Sequence, residues 1–257
     1  MFYFDCKNDF IGFSNENEWL PKNFDKFTSK QSLRKLFLSL SNNILKDFCH
    51  FSKREKELLS KGTLKAAFEY KIKSLIPISF VKPHKPYKLC KSFKLDVASS
   101  KVILHYQEQK KTEQIFVSSK TLLPVARLIS HCFINNQMQL LMDINLLFHE
   151  YVYQKISNLH KGKKVIDEGD SITINSEGTT PTKIYTYWKD IDKNNLNINK
   201  EVKTATRCIQ DGKYPLVYLV YPKTANFDKH IPVEVDTLED IDYKIKVIPY
   251  SLRSTLR

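Results

Sequence analysis

The stretch DSITINSEGTTPTKIYTYWKD, residues 170–190, contains two alternating runs on either side of a Gly-Thr-Thr-Pro segment. Alternation of apolar or aromatic residues with polar ones predicts two short strands, 171–175 and 183–188, joined by a turn. Asp170 opens the first strand and Lys189 closes the second. The stretch is therefore either an ordinary hairpin or half of a site that combines a carboxylate with an ammonium group.

The flanking sequence extends this hairpin into a longer series of elements. Helical periodicity predicts an amphipathic helix over 142–160 and a second helix over 198–210. Short apolar runs predict strands at 164–167, 215–222, 231–235 and 243–249, of which 215–222 has the composition of a fully buried strand. From 142 to 222 the order is helix, three strands, helix, strand, which is the order of the PD-(D/E)xK nuclease core. We therefore expect an α/β (α+β) fold with a mixed sheet.

That nuclease core predicts a specific chemistry for the hairpin. It uses an acid on the second strand, and an acid two residues before a lysine on the third strand, to hold a divalent metal and activate water. Asp170 and Lys189 fit as catalytic residues and Asp170 as a metal ligand, with Mg²⁺ the expected cofactor if the site is active. The residue two before the lysine is Tyr187, which cannot replace a carboxylate as a hard anionic ligand. Three nearby acids could substitute: Glu168, Glu177 and Asp190. Strand alternation, however, sends Asp190 to the face opposite Lys189.

Three segments resemble one family. MDINLLFHEYVYQKI, residues 142–156, looks like the Met-x-x-Leu-Phe-Glu-x-x-Val helix of McrC-type restriction subunits. Residues 122–132 resemble that family's Leu-Ala-Arg-Leu-Leu-like helix, and YLVYP, residues 218–222, resembles its closing Leu-x-Tyr-Pro strand. The resemblance covers about residues 120–250. In this resemblance, the family's Phe-Glu corresponds to Phe148-His149-Glu150, so Glu150 becomes a catalytic candidate. The family's Pro-Asp corresponds to Gly169-Asp170.

The resemblance implies a DNA-binding, nuclease-like subunit of a restriction or anti-phage defence complex. It further implies DNA and an AAA+ GTPase of McrB type as partners. The chain has no G-x-x-x-x-G-K-[ST] motif, so nucleotide hydrolysis would belong to the partner. Two alternatives stay open: a non-catalytic basic adaptor that binds nucleic acid or protein, and a secreted effector or phage-encoded protein with a cytosolic target.

The remainder of the chain predicts a separate N-terminal region, residues 1–118, before a nuclease-like α/β domain over 119–257. Residues 1–28 contain a strand or two, and apolar residues at helical spacing predict a helix over 30–50. A second helix is predicted over 53–74, with Gly62 as a candidate break. Residues 101–107 and 114–119 predict a β-hairpin, and a further helix covers 121–134.

A basic segment over residues 71–94 contains seven lysines and no acid, interleaved with aromatic residues and prolines. Such a segment can follow a phosphate backbone and stack on bases. We interpret six of its lysines as candidate nucleic-acid contacts: Lys71, Lys73, Lys82, Lys85, Lys88 and Lys91. The alternative is a solvated, proline-rich connection, which is the usual role of a charge run.

The bulk composition agrees with a polyanionic partner. The chain of 257 residues has 41 Lys and Arg against 28 Asp and Glu, a net charge of +13. Lysine-rich usage also follows from an AT-rich genome, so the charge alone does not decide. Five scattered cysteines without a C-x-x-C pair predict reduced thiols. With no signal-like start and no apolar run of membrane-spanning length, we expect a cytoplasmic protein without membrane contact.

Overall fold

The structure, a computed structural model, describes residues 9–15, 17–45, 50–76, 97–108, 124–135, 137–175, 178, 180–234 and 244–252. The chain forms two compact units. The first unit comprises Met1–Pro21 and Arg34–Asp143, and the second comprises Lys22–Leu33 and Ile144–Arg257. The boundary predicted at residue 119 lies outside the described residues. Helices and two sheets together confirm the predicted α+β class.

The first unit is built on a four-stranded antiparallel sheet with the order β2-β1-β4-β3. Its strands are β1 (Phe10–Ser14), β2 (Asn17–Trp19), β3 (Phe133–Ile134) and β4 (Gln137–Asp143). Its helices are α1 (Lys30–Ile44, whose first four residues belong to the second unit), α2 (Lys53–Leu59), α3 (Leu64–Leu75), α4 (Val97–Glu108) and α5 (Pro124–Cys132). Gly12 has a φ of 146°, and a Cβ there would lie 1.8 Å from the Leu140 carbonyl oxygen, so β1 and β4 need glycine at this position.

Phe68 lies at the centre of the first unit's aromatic core. Its ring centroid is 5.4 Å from that of Phe13 in β1, 6.0 Å from that of Phe37 in α1 and 5.3 Å from that of Phe51. Phe68 and Phe37 are fully buried. Tilted and edge-on ring contacts of this kind add to the stabilisation that burial of the rings provides.

The predicted interruption at Gly62 is confirmed, because α2 and α3 each have their own N-cap. Ser52 caps α2 through a capping box, in which its Oγ accepts from the Glu55 amide and its amide donates to Glu55 Oε2. Thr63 Oγ1 accepts from the Ala66 amide at the start of α3, at 3.2 Å. Two separate sets of capping bonds start two helices.

Two sequence predictions for the first unit are corrected by the structure. The first arm of the hairpin predicted over 101–119 is helical, since it belongs to α4, and the second arm lies outside the described residues. The apolar run of Val102, Ile103 and Leu104 is buried, and so short a run does not distinguish a buried strand from a buried helix. The helix predicted from residue 142 begins at Ile144, because the preceding residues form β4 and pair with β1.

The second unit reproduces the order predicted for residues 142–222. It contains α6 (Ile144–Leu159), β5 (Lys164–Asp167), β6 (Ile172–Asn175), β7 (Thr182–Thr186), α7 (Asn199–Gln210) and β8 (Leu216–Pro222), followed by β9 (Ile231–Val233) and β10 (Lys244–Tyr250). A short 3-10 helix, Phe24–Lys26, precedes α1. The sheet order is β5-β6-β7-β8-β10-β9. β7, β8 and β10 are parallel and the outer pairs are antiparallel, which confirms a mixed sheet.

Different helices cover the two faces of this mixed sheet. Tyr185 in β7 and Tyr187 just after it pack against the core that includes Ala205 of α7. Trp188 instead contacts Phe148 of α6, with ring centroids 5.8 Å apart. Because successive residues of an extended segment point to opposite faces, α6 and α7 lie on opposite sides of the sheet. No helix in the described ranges has the length and apolar character needed to cross a lipid bilayer.

Candidate functional site

The candidate site lies where β7 ends. The chain continues in an extended form past Thr186, and the Tyr187 amide donates to the Val220 carbonyl of β8 at 2.9 Å. The carboxyl ends of the parallel strands β7, β8 and β10 share one edge of the sheet. Ligands of α/β sheets commonly bind outside such an edge. This geometry places Tyr187 and Lys189 at a favourable position for chemistry.

Lys189 is held by two oxygen atoms at this edge. Its Nζ lies 3.0 Å from Glu201 Oε1 and donates to the Asn197 carbonyl at 2.7 Å. The Lys189 side chain is 37% exposed, whereas that of Glu201 is 14% exposed. Glu201 is in the first turn of α7, where a negative charge also interacts favourably with the helix dipole. The lysine therefore keeps a fixed position and remains open to solvent.

Asp170 lies just before the other strand of the hairpin, β6. β6 and β7 are antiparallel, with Ile172 opposite Ile184, so the start of β6 lies beside the end of β7. The Ser171 hydroxyl donates to Asp170 Oδ1 at 2.8 Å. Gly169, with φ of 90°, turns the chain immediately before it. The register therefore places Asp170 beside the end of β7, and a shared role with Lys189 stays a prediction.

Tyr187 interacts electrostatically with the carboxylates of Glu201 and Asp170. Burial, followed by the negative charges of Glu201 and Asp170, raises the pKa of its phenol to about 12. Its ring stacks on Tyr221 of β8 with centroids 5.5 Å apart. Tyr221 is fully buried, and its hydroxyl has no hydrogen-bond partner among the described residues. Burial, then Glu201 and Tyr187, raises the pKa of that phenol as well.

The Lys189–Glu201 ion pair and the electrostatic interactions of Tyr187 define what we call the Tyr187 cluster: Asp170, Tyr187, Lys189 and Glu201. Glu201 was missed by sequence reasoning, which sought the missing carboxylate close to the hairpin. The available signal was an acid in the first turn of the helix predicted to start at 198, soon after Lys189. Only the folded sheet brings this helix to Lys189, so spacing along the chain did not identify it.

The three acids considered as substitutes have other contacts or lie outside the described residues. Glu168 Oε2 is 2.9 Å from Lys183 Nζ. Burial lowers the pKa of Lys183, but the hydrogen bond and charge of Glu168 outweigh this effect and raise it overall. Asp190 forms an ion pair with Lys26. Glu177 is outside the described residues.

On α6, His149, the neighbour of the predicted Glu150, makes polar contacts with the sheet. His149 Nδ1 lies 3.0 Å from Thr186 Oγ1, and Nε2 lies 3.0 Å from Asp167 Oδ1. The ring is buried, and each of its two nitrogens has one oxygen as its partner, so the tautomer decides which nitrogen donates. Glu150 Oε1 accepts a hydrogen bond from Gln154 one turn along the same helix, at 2.7 Å.

The Tyr187 cluster has the type of donor atom that Mg²⁺ prefers, without a complete set of protein ligands among the described residues. Asp170 and Glu201 provide carboxylate oxygens, the hard ligands that Mg²⁺ prefers. Among the described residues, no three His, Cys, Asp or Glu side chains converge on a metal position. A cage built by the protein alone is therefore not formed by these residues. Magnesium commonly uses one or two carboxylates, with phosphate oxygens and water completing its shell.

The lysines predicted to contact nucleic acid have different locations. Lys71 is buried in α3, where its Nζ lies 2.9 Å from Glu55 Oε1 and 5.5 Å from the centroid of the Phe51 ring. Lys73, two residues on, is exposed. Four of the lysines are outside the described residues: Lys82, Lys85, Lys88 and Lys91. A role for these four stays a prediction.

Comparison with known proteins identifies a similar fold. No protein-family model and no curated protein sequence matches the chain. The fold is similar to that of a chain in the solved tetradecameric assembly of Thermococcus gammatolerans McrB AAA+ hexamers with bound McrC. The TM-score is 0.54 at 11% identity, over 95% of this chain and 77% of that chain. At this identity the likeness shows a shared fold, which does not by itself imply a shared function.

Proposed function

We propose that the chain is an McrC-like, nuclease-like subunit of a restriction or anti-phage defence complex. In this proposal it binds duplex DNA and cleaves it at the Tyr187 cluster with Mg²⁺, together with an AAA+ GTPase of McrB type. The observation that carries the proposal is the Lys189–Glu201 ion pair at the carboxyl end of β7, a strand end that the register places beside the start of β6 and its preceding Asp170. The fold shared with a chain of the McrB–McrC assembly supports the choice of complex and partner.

The residues of the cluster have separate roles in this proposal. Lys189 is a fixed, half-exposed cation that orients a phosphate oxygen or the attacking water. Glu201 positions that ammonium group and, with Asp170, offers carboxylate oxygens. When bound there, Mg²⁺ would neutralise charge on the phosphate and favour the ionised form of a bound water. Tyr187 stays a neutral phenol near pH 7, since its pKa is about 12, and can donate a hydrogen bond to a phosphate oxygen.

A nuclease assay with matched variants tests the proposed site. The wild type and the Asp170→Ala, Lys189→Ala and Glu201→Gln variants are incubated with duplex DNA and Mg²⁺ or Mn²⁺. We expect each substitution to lower the cleavage rate by about 100-fold or more, the scale on which one transition-state contact acts. Asp228→Asn, at an exposed position, is the matched control and should cleave like the wild type. Equal cleavage by all the variants would show that the reaction occurs elsewhere.

A second candidate, a non-catalytic adaptor that binds DNA or protein, is favoured by Tyr187 itself. A phenol packed on Tyr221 occupies the position where the nuclease pattern has a carboxylate. A wild-type chain that binds duplex DNA but does not cleave it with either metal, with or without the AAA+ partner, would select the adaptor. Stimulation of GTP hydrolysis by that partner when the chain is added would support the assignment to the complex under either candidate.

A further inference from the structure

Helix α7 has a line of basic side chains on the side that faces away from the sheet. At 3.6 residues per turn, Lys200, Lys203 and Arg207 lie within about 60° of one another around the helix axis. The buried Ala205 and Ile209 lie roughly 160° away from them. All three basic residues are exposed. We call this set the α7 stripe.

Among the described residues, the α7 stripe has no counter-charge, unlike several paired lysines of the chain. Lys35 is paired with Glu57, Lys183 with Glu168 and Lys189 with Glu201. Within the described part of the chain, the side chains of the α7 stripe make no hydrogen bond and no ion pair. Glu201, on the same helix, forms its ion pair with Lys189. The positive charge of the stripe is therefore available to an external anion.

The position of the stripe connects it to the Tyr187 cluster. Lys200 directly precedes Glu201, so the stripe begins beside the cluster and continues along the helix. With a rise of 1.5 Å per residue, its three cations span about 10.5 Å of the helix axis. One strand of duplex DNA presents a phosphate roughly every 3.4 Å of its axis, so this length corresponds to about three phosphates. A line of unneutralised cations along one helix suits a regular polyanion.

We propose that the α7 stripe binds the phosphate backbone of duplex DNA and holds it against the Tyr187 cluster. This inference rests on the proposed function, because it takes DNA as the ligand of that cluster. The contacts are to phosphates, so they provide affinity and position without selecting a base sequence. The stripe is separate from the basic segment over residues 71–94.

Fluorescence anisotropy with a labelled duplex of about 30 base pairs tests the stripe. The test variant replaces Lys200, Lys203 and Arg207 with Gln. The matched control replaces Lys161, Lys163 and Lys164 with Gln, three exposed lysines at the turn into β5. Both variants lose three positive charges, and glutamine is a good helix former, so α7 should stay folded.

We expect the stripe variant to bind about tenfold or more weakly near 0.1 M salt, with a salt-dependence slope smaller by about 2 to 3. The control should stay within about threefold of the wild type. Equal losses of DNA affinity in the two variants would mean that only net charge matters, and would overturn the proposed role of the stripe. Unchanged DNA affinity in the stripe variant would also overturn the proposal. A protein partner would then be the alternative ligand of the stripe. If the wild type itself does not bind DNA, the DNA-binding function fails first.

Discussion

Two lysine–glutamate ion pairs of nearly equal length have different surroundings in the two units. In the first unit, Lys71 Nζ lies 2.9 Å from Glu55 Oε1, with side chains 10% and 22% exposed. In the second unit, Lys189 Nζ lies 3.0 Å from Glu201 Oε1, with side chains 37% and 14% exposed. The comparison shows that the length of an ion pair does not reveal its role, which depends on what surrounds the two charges.

The surroundings of Lys71 and Glu55 belong to the fold. Lys71 lies over the Phe51 ring, and Glu55 closes the capping box of α2. Burial opposes the charged form of Glu55, but hydrogen bonds from Lys71 and Ser52 outweigh it and lower the pKa of the carboxyl group. Near Lys189 and Glu201 are the phenols of Tyr187 and Tyr221, and the Tyr221 hydroxyl has no hydrogen-bond partner among the described residues. The first pair joins two helices, whereas the second lies at the sheet edge where we propose that a ligand binds.

The largest stability effect that we expect comes from removing Lys71. Lys71→Ala should lower the free energy of unfolding of the first unit by about 2 kcal/mol, because it leaves Glu55 unpaired and removes packing on Phe51. Lys73→Ala, at an exposed position of the same helix, is the control and should change this free energy of unfolding by less than about 0.5 kcal/mol. Urea unfolding followed by Trp19 fluorescence, with Trp188→Phe in both variants, reports this unit alone.

Lys189→Ala completes the same comparison in the second unit. The pair is half-exposed, so its loss should lower the free energy of unfolding of the second unit by less than about 1 kcal/mol, as for exposed pairs in general. Trp188 fluorescence in a Trp19→Phe background gives the measurement. If Lys189→Ala destabilises its unit as much as Lys71→Ala does, the two pairs are both structural and the contrast between them is wrong.

An intermediate effect is expected at His149, the buried polar contact between α6 and the sheet. His149→Leu should lower the free energy of unfolding of the second unit by about 1 to 2 kcal/mol, because Thr186 and Asp167 each lose a hydrogen-bond partner. The measurement uses Trp188 fluorescence in the Trp19→Phe background. His160→Leu, just beyond α6, is the control. Equal stability of the two variants would mean that the His149 contacts contribute nothing measurable.

The smallest effect concerns alkaline pH. An unfolded tyrosine ionises near pH 10, whereas Tyr187 in the fold has a pKa of about 12. Between these values the unfolded chain releases a proton that the folded chain keeps, so stability falls as the pH rises through about 10 to 12. Tyr187→Phe should reduce this fall, measured as the urea midpoint at several pH values. Exposed Tyr70→Phe is the control, and an unchanged pH dependence in Tyr187→Phe would contradict the burial of this phenol.

Much of the second unit followed from local pattern. Residues 171–175 and 183–188 alternate, so their pairing as strands and the position of Asp170 beside the end of β7 were predictable. The first unit was less predictable. The apolar run of α4 suits a strand and a helix equally well, and β4 was hidden because its residues lead directly into the periodic pattern of α6.

The sequence by itself determined the α+β class, the order of elements from α6 to β8, the net positive charge and the absence of a carboxylate at Tyr187. Tertiary structure alone decided that Glu201 meets Lys189, that His149 contacts the sheet beside Glu150, and that Lys71 is buried. Strand and helix periods act over a few residues and are visible in the sequence. Partners 12 to 37 residues apart, such as those of Lys189 and His149, depend on how the sheet and its two helices close around a common core.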